Sequence, residues 1–422
     1  MNTHKNLKLM NGVCTFLTVL LFSFLIACSS SPVEEQMASV TSVKSHFADT
    51  FDLNNESNTL VGAQQLSRYL PRIKGKKVAL VVNQTSQVSG VHLVDTLIAH
   101  NIDVQAIFAP EHGFRGDHDA GEKFSSSIDE KTGVEIVSIY GKNRKPSAKL
   151  LANIDVIIFD IQDVGVRFYT YISSMHYMME AAADAGISFI VLDRPNPNGA
   201  FVDGPILEPK FTSFVGMHKI PLLHGMTLGE LALMLKGENW LNGKKKLKLT
   251  VVSVKNYQRT MFYSLPIKPS PNLPNDVAIN LYPSLGFFEA TPVSIGRGTA
   301  FPFQVIGHDK ISLGNFAFTP VSTPGAAATP KLMNKSLLGQ DLRDSQVRGL
   351  DLNFIIHWHN KFKAQNHVFF TRADFMDKLS GTDKLRKAIV AGQSARKIKQ
   401  GWQQGLNNFK TLRKPYLLYP EL

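Results

Sequence analysis

From Lys77 onward the chain is punctuated by short, almost unbroken apolar runs rich in β-branched residues, at 78–82, 104–108, 134–139, 155–160 and 188–192. A strand with one face in water alternates apolar and polar side chains, whereas a strand that is apolar throughout must be covered on both faces. Between the runs lie stretches of helical period, one around Leu93, Val94, Leu97 and Ile98 and a longer one at 173–185. That alternation predicts an α/β fold, with a Rossmann-like, doubly wound parallel sheet flanked by helices.

In such a sheet, ligands meet the chain just beyond the carboxyl ends of the strands, so the loops after each run carry the candidates. The richest is Phe108-Ala109-Pro110-Glu111-His112-Gly113-Phe114-Arg115-Gly116, which places a carboxylate, an imidazole and a guanidinium at one strand end, with glycines for tight turns. Glu111 can act there as a general acid if desolvation raises its pKa, or it can simply cap a following helix. Asp117, His118, Asp119 and Glu122 offer a metal cluster as an alternative, without a known ligand spacing such as His-Glu-x-x-His. The fourth run leads into Gln162-Asp163-Val164-Gly165-Val166-Arg167-Phe168-Tyr169-Thr170-Tyr171. Asp163 and Arg167, four apart, can pair; two tyrosines and an amide equally suit sugar hydroxyls and ring faces. The fifth run ends in Asp193-Arg194-Pro195-Asn196-Pro197-Asn198.

Two further clusters follow. Thr227 and Glu230 have the spacing of a capping box, which makes Glu230 structural and leaves His224 as the freer residue. Glu289 precedes Ser294-Ile295-Gly296-Arg297-Gly298-Thr299, where Arg297 between two glycines can meet an anion. Pro266, Pro269, Pro271, Pro274 and Pro283 mark an irregular crossing, after which short strands mix with helical stretches near 379–389 and 398–409. This predicts a first domain over 59–265 and a smaller α+β domain over 266–422, with 322–330 as a surface excursion. The chain has no P-loop, no Gly-x-Gly-x-x-Gly after the first strand and no Gly-x-Ser-x-Gly elbow, so no cofactor is expected.

The amino-terminal end reads as an address. Lys5 and Lys8 precede a nearly all-apolar stretch at 13–27, too short for a comfortable membrane span, that ends in Leu25-Ile26-Ala27-Cys28. This resembles a bacterial lipobox. The expectation is a signal peptide over 1–27, a lipid on Cys28 that anchors the chain to a membrane facing the periplasm, and a polar tether over 28–58. Ser29, in place of an aspartate, favours the outer membrane. The other cysteine, Cys14, lies in the leader, so a cysteine protease and a thiolate metal site are excluded. The formal charge of +12, reduced by two without Lys5 and Lys8, indicates an anionic surface or substrate in an exported protein. Nucleic acid is not the expected partner, because the basic runs lack interleaved aromatics.

FAPEHGFRG, DIQDVGVRFYTYIS, LDRPNPNG, HGMTLGELA, PSPNLP and SIGRGTAFPF, in that order, resemble the NamZ-type exo-β-N-acetylmuramidase family, over a span from about Leu60 to Tyr419. The resemblance implies two domains with a cleft between them, and removal of terminal N-acetylmuramic acid from the non-reducing end of peptidoglycan fragments. Most glycosidases need two carboxylates around the scissile bond. Glu111 is the first choice for acid or acid/base, and Glu289 and Asp163 compete for the second role. A substrate-assisted route through the acetamido group would need only an orienting partner. The lactyl carboxylate of muramic acid calls for a basic group, with Arg297, Arg167 and Arg115 as candidates. His112, Tyr169, Asn196 and His224 would then contact hydroxyl or acetamido groups. A non-catalytic peptidoglycan-binding lipoprotein and a metal-dependent hydrolase using the 111–122 cluster are the rival classes.

Overall fold

A computed structural model describes residues 59–115, 127–141, 143–243 and 245–421. Cys28 with its leader and tether lies outside the described residues, as do Asp117, His118, Asp119 and Glu122.

Each apolar run becomes a strand. β1 (Lys77–Val82) is followed by a small hairpin of β2 (Gln87–Val88) and β3 (Val91–His92), then by β4 (Asp103–Ala109), β5 (Ser127–Ile128), β6 (Glu135–Ser138), β7 (Val156–Asp160), β8 (Ser188–Leu192) and β9 (Lys248–Val252). Apart from the hairpin, these form a seven-stranded sheet among the described residues, in the order β5-β6-β4-β1-β7-β8-β9. Neighbours pair in parallel except β5 with β6. The chain winds outward from β1 in one direction through β4 and β6, then in the other through β7, β8 and β9. The boundary between β1 and β7 is therefore the switch point, where such a sheet opens a crevice at its carboxyl ends.

The unbroken apolarity of the strands has the expected cause. Ala79 and Val81 point into one core with Phe108, Ile157 and Phe159. Val78, Leu80 and Val82 point into another with Ile107 and Ile158. The second core is closed by α1 (Leu66–Ile73) and α2 (Leu93–Ala99), through Tyr69, Ile73, Leu93 and Leu97. The first is closed by α3 (Tyr171–Ala185) and α4 (Leu228–Gly237), and it continues without a break into the later part of the chain, through Phe287, Phe288, Trp358, Phe362 and Met376. Each such side chain, fully buried, contributes about 1.5–3 kcal/mol, so this shared core binds the two parts strongly. Residues 58–422 accordingly form one compact unit.

The later part has the expected α+β character. α5 (Asp276–Leu285) runs into a 3-10 turn at Gly286–Ala290. β10 (Val305–His308), β11 (Phe316–Phe318) and β12 (Leu337–Asp341) form an antiparallel sheet in the order β10-β12-β11. α6 (Asn353–Ala364), α7 (Ala373–Ser380), α8 (Lys384–Val390), α9 (Ala395–Gln400) and α10 (Gln403–Arg413) complete it. Both helical stretches anticipated here are split. Gly381, left-handed at φ 75°, ends α7 before α8 begins, and Gly401-Trp402 separates α9 from α10. The loop at 322–330 is more than a surface excursion: Thr323 bridges Ala327, and the Ala326 carbonyl accepts from Asn272 Nδ2 at 2.8 Å, which pins the loop to the proline-rich crossing.

Candidate active site

The strand ends beside the switch point converge on Glu111. Its Oε1 accepts from the Tyr140 hydroxyl at 3.0 Å and its Oε2 from Thr170 Oγ1 at 2.9 Å. Tyr140 follows β6, and Thr170 caps α3 after β7. The Tyr171 hydroxyl lies 3.4 Å from the Glu111 carbonyl and accepts from Asn83 Nδ2, just past β1, at 3.0 Å. Burial and the adjacent Glu111 carboxylate push the Tyr140 hydroxyl well above its ordinary range, so it remains a donor at any physiological pH. His112 takes a left-handed φ of 71° and is followed by Gly113 at 77°. A non-glycine residue held there stores strain of order 1–3 kcal/mol, a feature that clusters at functional sites. The His112 Nε2 sits 3.1 Å from Ser270 Oγ, which ties this turn to the proline-rich crossing.

A second wall comes from the later part of the chain. Arg297 Nε donates to Glu289 Oε1 at 2.7 Å, and the Lys331 ammonium lies 3.9 Å from Oε2 while donating to the Phe288 carbonyl at 2.7 Å. Burial alone would raise the Glu289 pKa, but Arg297, Lys331 and Arg372 hold it below the usual carboxylate value, so this group is an anion. The glycines around Arg297 are required. Gly296 and Gly298 have φ of 80° and 78°, and a Cβ would stand 2.5 Å from the Phe301 carbonyl oxygen at the first and 2.4 Å from that of Val321 at the second. Tyr282 joins the walls. Burial raises its hydroxyl out of the ordinary range, and the charges of Arg297, Glu111, Glu289 and Asp163 all act on it. Its ring meets Tyr169 and Phe303 edge-on, with centroids 5.8 and 5.0 Å away.

Asp163 is the other carboxyl group whose charge reaches Tyr282. Its Oδ2 accepts from the Gly165 N–H at 2.6 Å, and its Oδ1 is buried without a hydrogen-bond partner. Burial pushes its pKa up to about 7, against the pull of the Gly165 and Val164 amides, so it holds a proton close to neutrality.

Several candidates are spent elsewhere. Arg167 is 2% exposed and does not pair with Asp163. Its Nη1 donates to the Pro205 and Ile220 carbonyls at 2.7 and 2.8 Å, and its Nη2 to Leu379 and Ser380 at 3.2 and 2.6 Å. It is an internal cross-link and not a lactyl clamp. His224 is fully buried, and its Nδ1 accepts from the Met226 N–H at 3.2 Å. Burial, with Arg413, Arg167 and Arg259 nearby, pushes its pKa down to about 3, so it is a neutral core residue and not the freer histidine expected. Asn196 gives its amide to the Met226 carbonyl at 2.9 Å and accepts from the Asn198 N–H at 2.8 Å. Tyr169 donates its hydroxyl to the Pro269 carbonyl at 2.8 Å. Arg115 pairs with Asp129 at 2.7 Å and lies over the Phe114 ring. Glu230 is structural as expected, closing the Thr227 capping box and pairing with buried Arg259 at 2.7 Å. Among the described residues no group of three or more His, Cys, Asp or Glu could hold a metal.

Sequence profiles of the exo-β-N-acetylmuramidase NamZ match this chain twice, the N-terminal profile over residues 78–277 and the C-terminal one over 280–419. The chain belongs to the NamZ exo-β-N-acetylmuramidase family. The peptidoglycan β-N-acetylmuramidase NamZ of Bacillus subtilis (strain 168) is 39% identical over 378 residues, spanning 84% of this chain and 89% of that protein. Two solved DUF1343 family proteins from Bacteroides fragilis NCTC 9343 share the fold. One is 46% identical with a TM-score of 0.79, covering 87% of this chain and 100% of its own. The other is 30% identical with a TM-score of 0.75, covering 86% and 100%.

Within this NamZ-family chain some motifs line the Glu111 and Glu289 cluster and others build its frame. FAPEHGFRG supplies Glu111 and His112, and SIGRGTAFPF supplies Arg297. LDRPNPNG is mostly scaffold: Asp193 accepts from Thr227 Oγ1, the Gly229 N–H and the Tyr419 hydroxyl at 2.7, 2.7 and 2.5 Å, and Arg194 pairs with buried Asp160 at 2.6 Å. Four residues of the site had no role assigned from sequence: Tyr140, Thr170, Tyr282 and Lys331. The first lies directly after an apolar run, which is a readable signal. Lys331 has no local signature, because it reaches Glu289 only through the folding of the loop before it.

Proposed function

We propose that this chain removes N-acetylmuramic acid from the non-reducing end of peptidoglycan fragments, in the crevice at the strand ends. One observation carries this reading. Glu111 at the strand ends is held by the Tyr140 and Thr170 hydroxyls, and Glu289, held by Arg297, acts on the same Tyr282 hydroxyl as Glu111 does, which supplies the two carboxylates that most glycosidases use. Glu111, positioned by two hydroxyl donors, is the acid or acid/base that protonates the departing oxygen. Glu289 is an ionised group already engaged by Arg297 and faced by Lys331, a poor nucleophile but a good acceptor. It would orient the acetamido N–H, so that the sugar's own carbonyl oxygen attacks the anomeric carbon.

Mass spectrometry of products from a defined, muramic-acid-terminated wall fragment tests the reading. Release of a single N-acetylmuramic acid per cleavage is expected. Internal fragments, or saturable binding with no sugar released, would overturn it.

We also propose that Cys28 carries lipid, on the evidence of Leu25-Ile26-Ala27-Cys28 and the tether behind it. Full-length protein should sediment with membranes, and Cys28→Ser should move to the soluble fraction with unchanged turnover. Ser29 favours the outer membrane, so Ser29→Asp should shift the protein to the inner-membrane band of a density gradient. Unmodified wild type in the soluble fraction would refute the anchor.

A further inference from the structure

The Glu289 wall holds more positive charge than its carboxylate balances. Arg297, Lys331 and Arg372 all act on Glu289. Among the described residues, Arg297 hydrogen-bonds only through Nε while its guanidinium carbon lies 5.0 Å from the centroid of the Phe303 ring, so the Nη1/Nη2 edge carries no hydrogen bond. Lys331 gives one N–H to the Phe288 carbonyl at 2.7 Å and retains two of its three donors. Both side chains are about one quarter to one third exposed, 26% and 30%, so a ligand can reach them. Their backbones are stitched together: the Val321 N–H donates to the Gly298 carbonyl at 2.8 Å. Pro330 occupies the space where a Gly298 side chain would be, since a Cβ there would fall 2.6 Å from its ring. An incompletely balanced charge in partly buried ground costs free energy that an incoming anion offsets.

We propose that Lys331 and the open edge of Arg297 form a two-pronged site for the lactyl carboxylate of the terminal sugar, and that Lys331 sets the preference for a carboxylate-bearing substrate. This rests on the muramidase reading above. The chemistry of the sugar fits the layout. The lactyl ether is on C3, next to the acetamido group on C2, just as the two cations adjoin Glu289. A planar carboxylate meets the guanidinium edge with two hydrogen bonds, and the ammonium adds a point charge.

Burial draws the Lys331 pKa down to about 8, with Glu289 opposing and Arg297 and Arg372 reinforcing the fall. In the free enzyme the ammonium is therefore present below about pH 8 and lost above it.

The test compares kcat/KM for wild type, Lys331→Met and Lys331→Arg on three glycosides with one leaving group: the β-N-acetylmuraminide, its neutral lactyl amide and the β-N-acetylglucosaminide. Wild type should prefer the acid over the amide. Lys331→Met should lose roughly ten- to a hundred-fold of that acid-over-amide preference, read as a ratio within the variant and expressed through KM. Lys331→Arg should retain most of it. Wild-type preference should also fall as pH rises through about 8, while that of Lys331→Arg does not. Equal wild-type efficiency on muraminide and glucosaminide would overturn the muramic-acid reading and this proposal with it, whereas equal efficiency on acid and amide would overturn this proposal alone. A wild-type preference that survives intact in Lys331→Met would overturn the Lys331 assignment alone. Unchanged melting temperatures would exclude a general loss of fold.

Discussion

Replacing Glu111 by glutamine should lower kcat on a β-N-acetylmuraminide by roughly a hundred- to ten-thousand-fold, the usual worth of a positioned general acid or base. The fold should survive. Glutamine keeps the size of the side chain and an oxygen to accept from Tyr140 or Thr170, and Glu111 is not part of the buried core. The leaving group gives the sharper diagnosis. A departing phenolate of low pKa needs no proton, so the deficit should shrink markedly with such substrates and be greatest with a natural sugar leaving group. Near-wild-type turnover in the variant would remove Glu111 from the mechanism. A deficit equally large for every leaving group would move it from acid to another role.

Arg167→Met should instead unfold the protein readily. Four backbone carbonyls converge on this guanidinium, two from the 205–220 region and two from the end of α7. Arg167 is 2% exposed, so water cannot replace the lost donors without opening the structure. Each buried acceptor left unpaired costs about 1–3 kcal/mol, and the total should exceed about 3 kcal/mol. For a chain of this size the melting temperature should fall by roughly 5–10 °C. If Arg167 were a substrate clamp, the variant would melt like wild type and lose only its discrimination between muraminide and glucosaminide. Differential scanning calorimetry beside a two-substrate assay separates the two outcomes.

Sheet and site were not equally legible in the sequence. The five apolar runs lie where strands form, because a parallel strand buried on both faces leaves an unmistakable local signature. The edge strands β5 and β9 escaped. β5 is two exposed residues, and β9 is half-buried and lacks the continuous apolarity of the inner strands. Helix ends escaped where glycine geometry decided them, as at Gly381. For the site, sequence showed which loops matter but not which polar side chains turn inward. Arg167 and Arg297 look alike as isolated guanidinium groups beside glycines. One meets four main-chain carbonyls contributed by segments up to 213 residues away, and the other meets Glu289 eight residues away. Only tertiary structure separates them. His224 and Asn196 were misread for the same reason: a polar residue in a conspicuous motif can serve main-chain atoms as readily as a ligand.

Asp193, at the end of β8, takes a hydrogen bond from the hydroxyl of Tyr419, a residue synthesised 226 positions later. At roughly 5–20 residues per second, that interval lasts on the order of ten to fifty seconds. Throughout it the central loops lack the partners that finish them, and the core shared by the two parts cannot close. Topology thus doubles as a timer: the frame that Asp193 anchors is tied off only when the far end of the chain has been made.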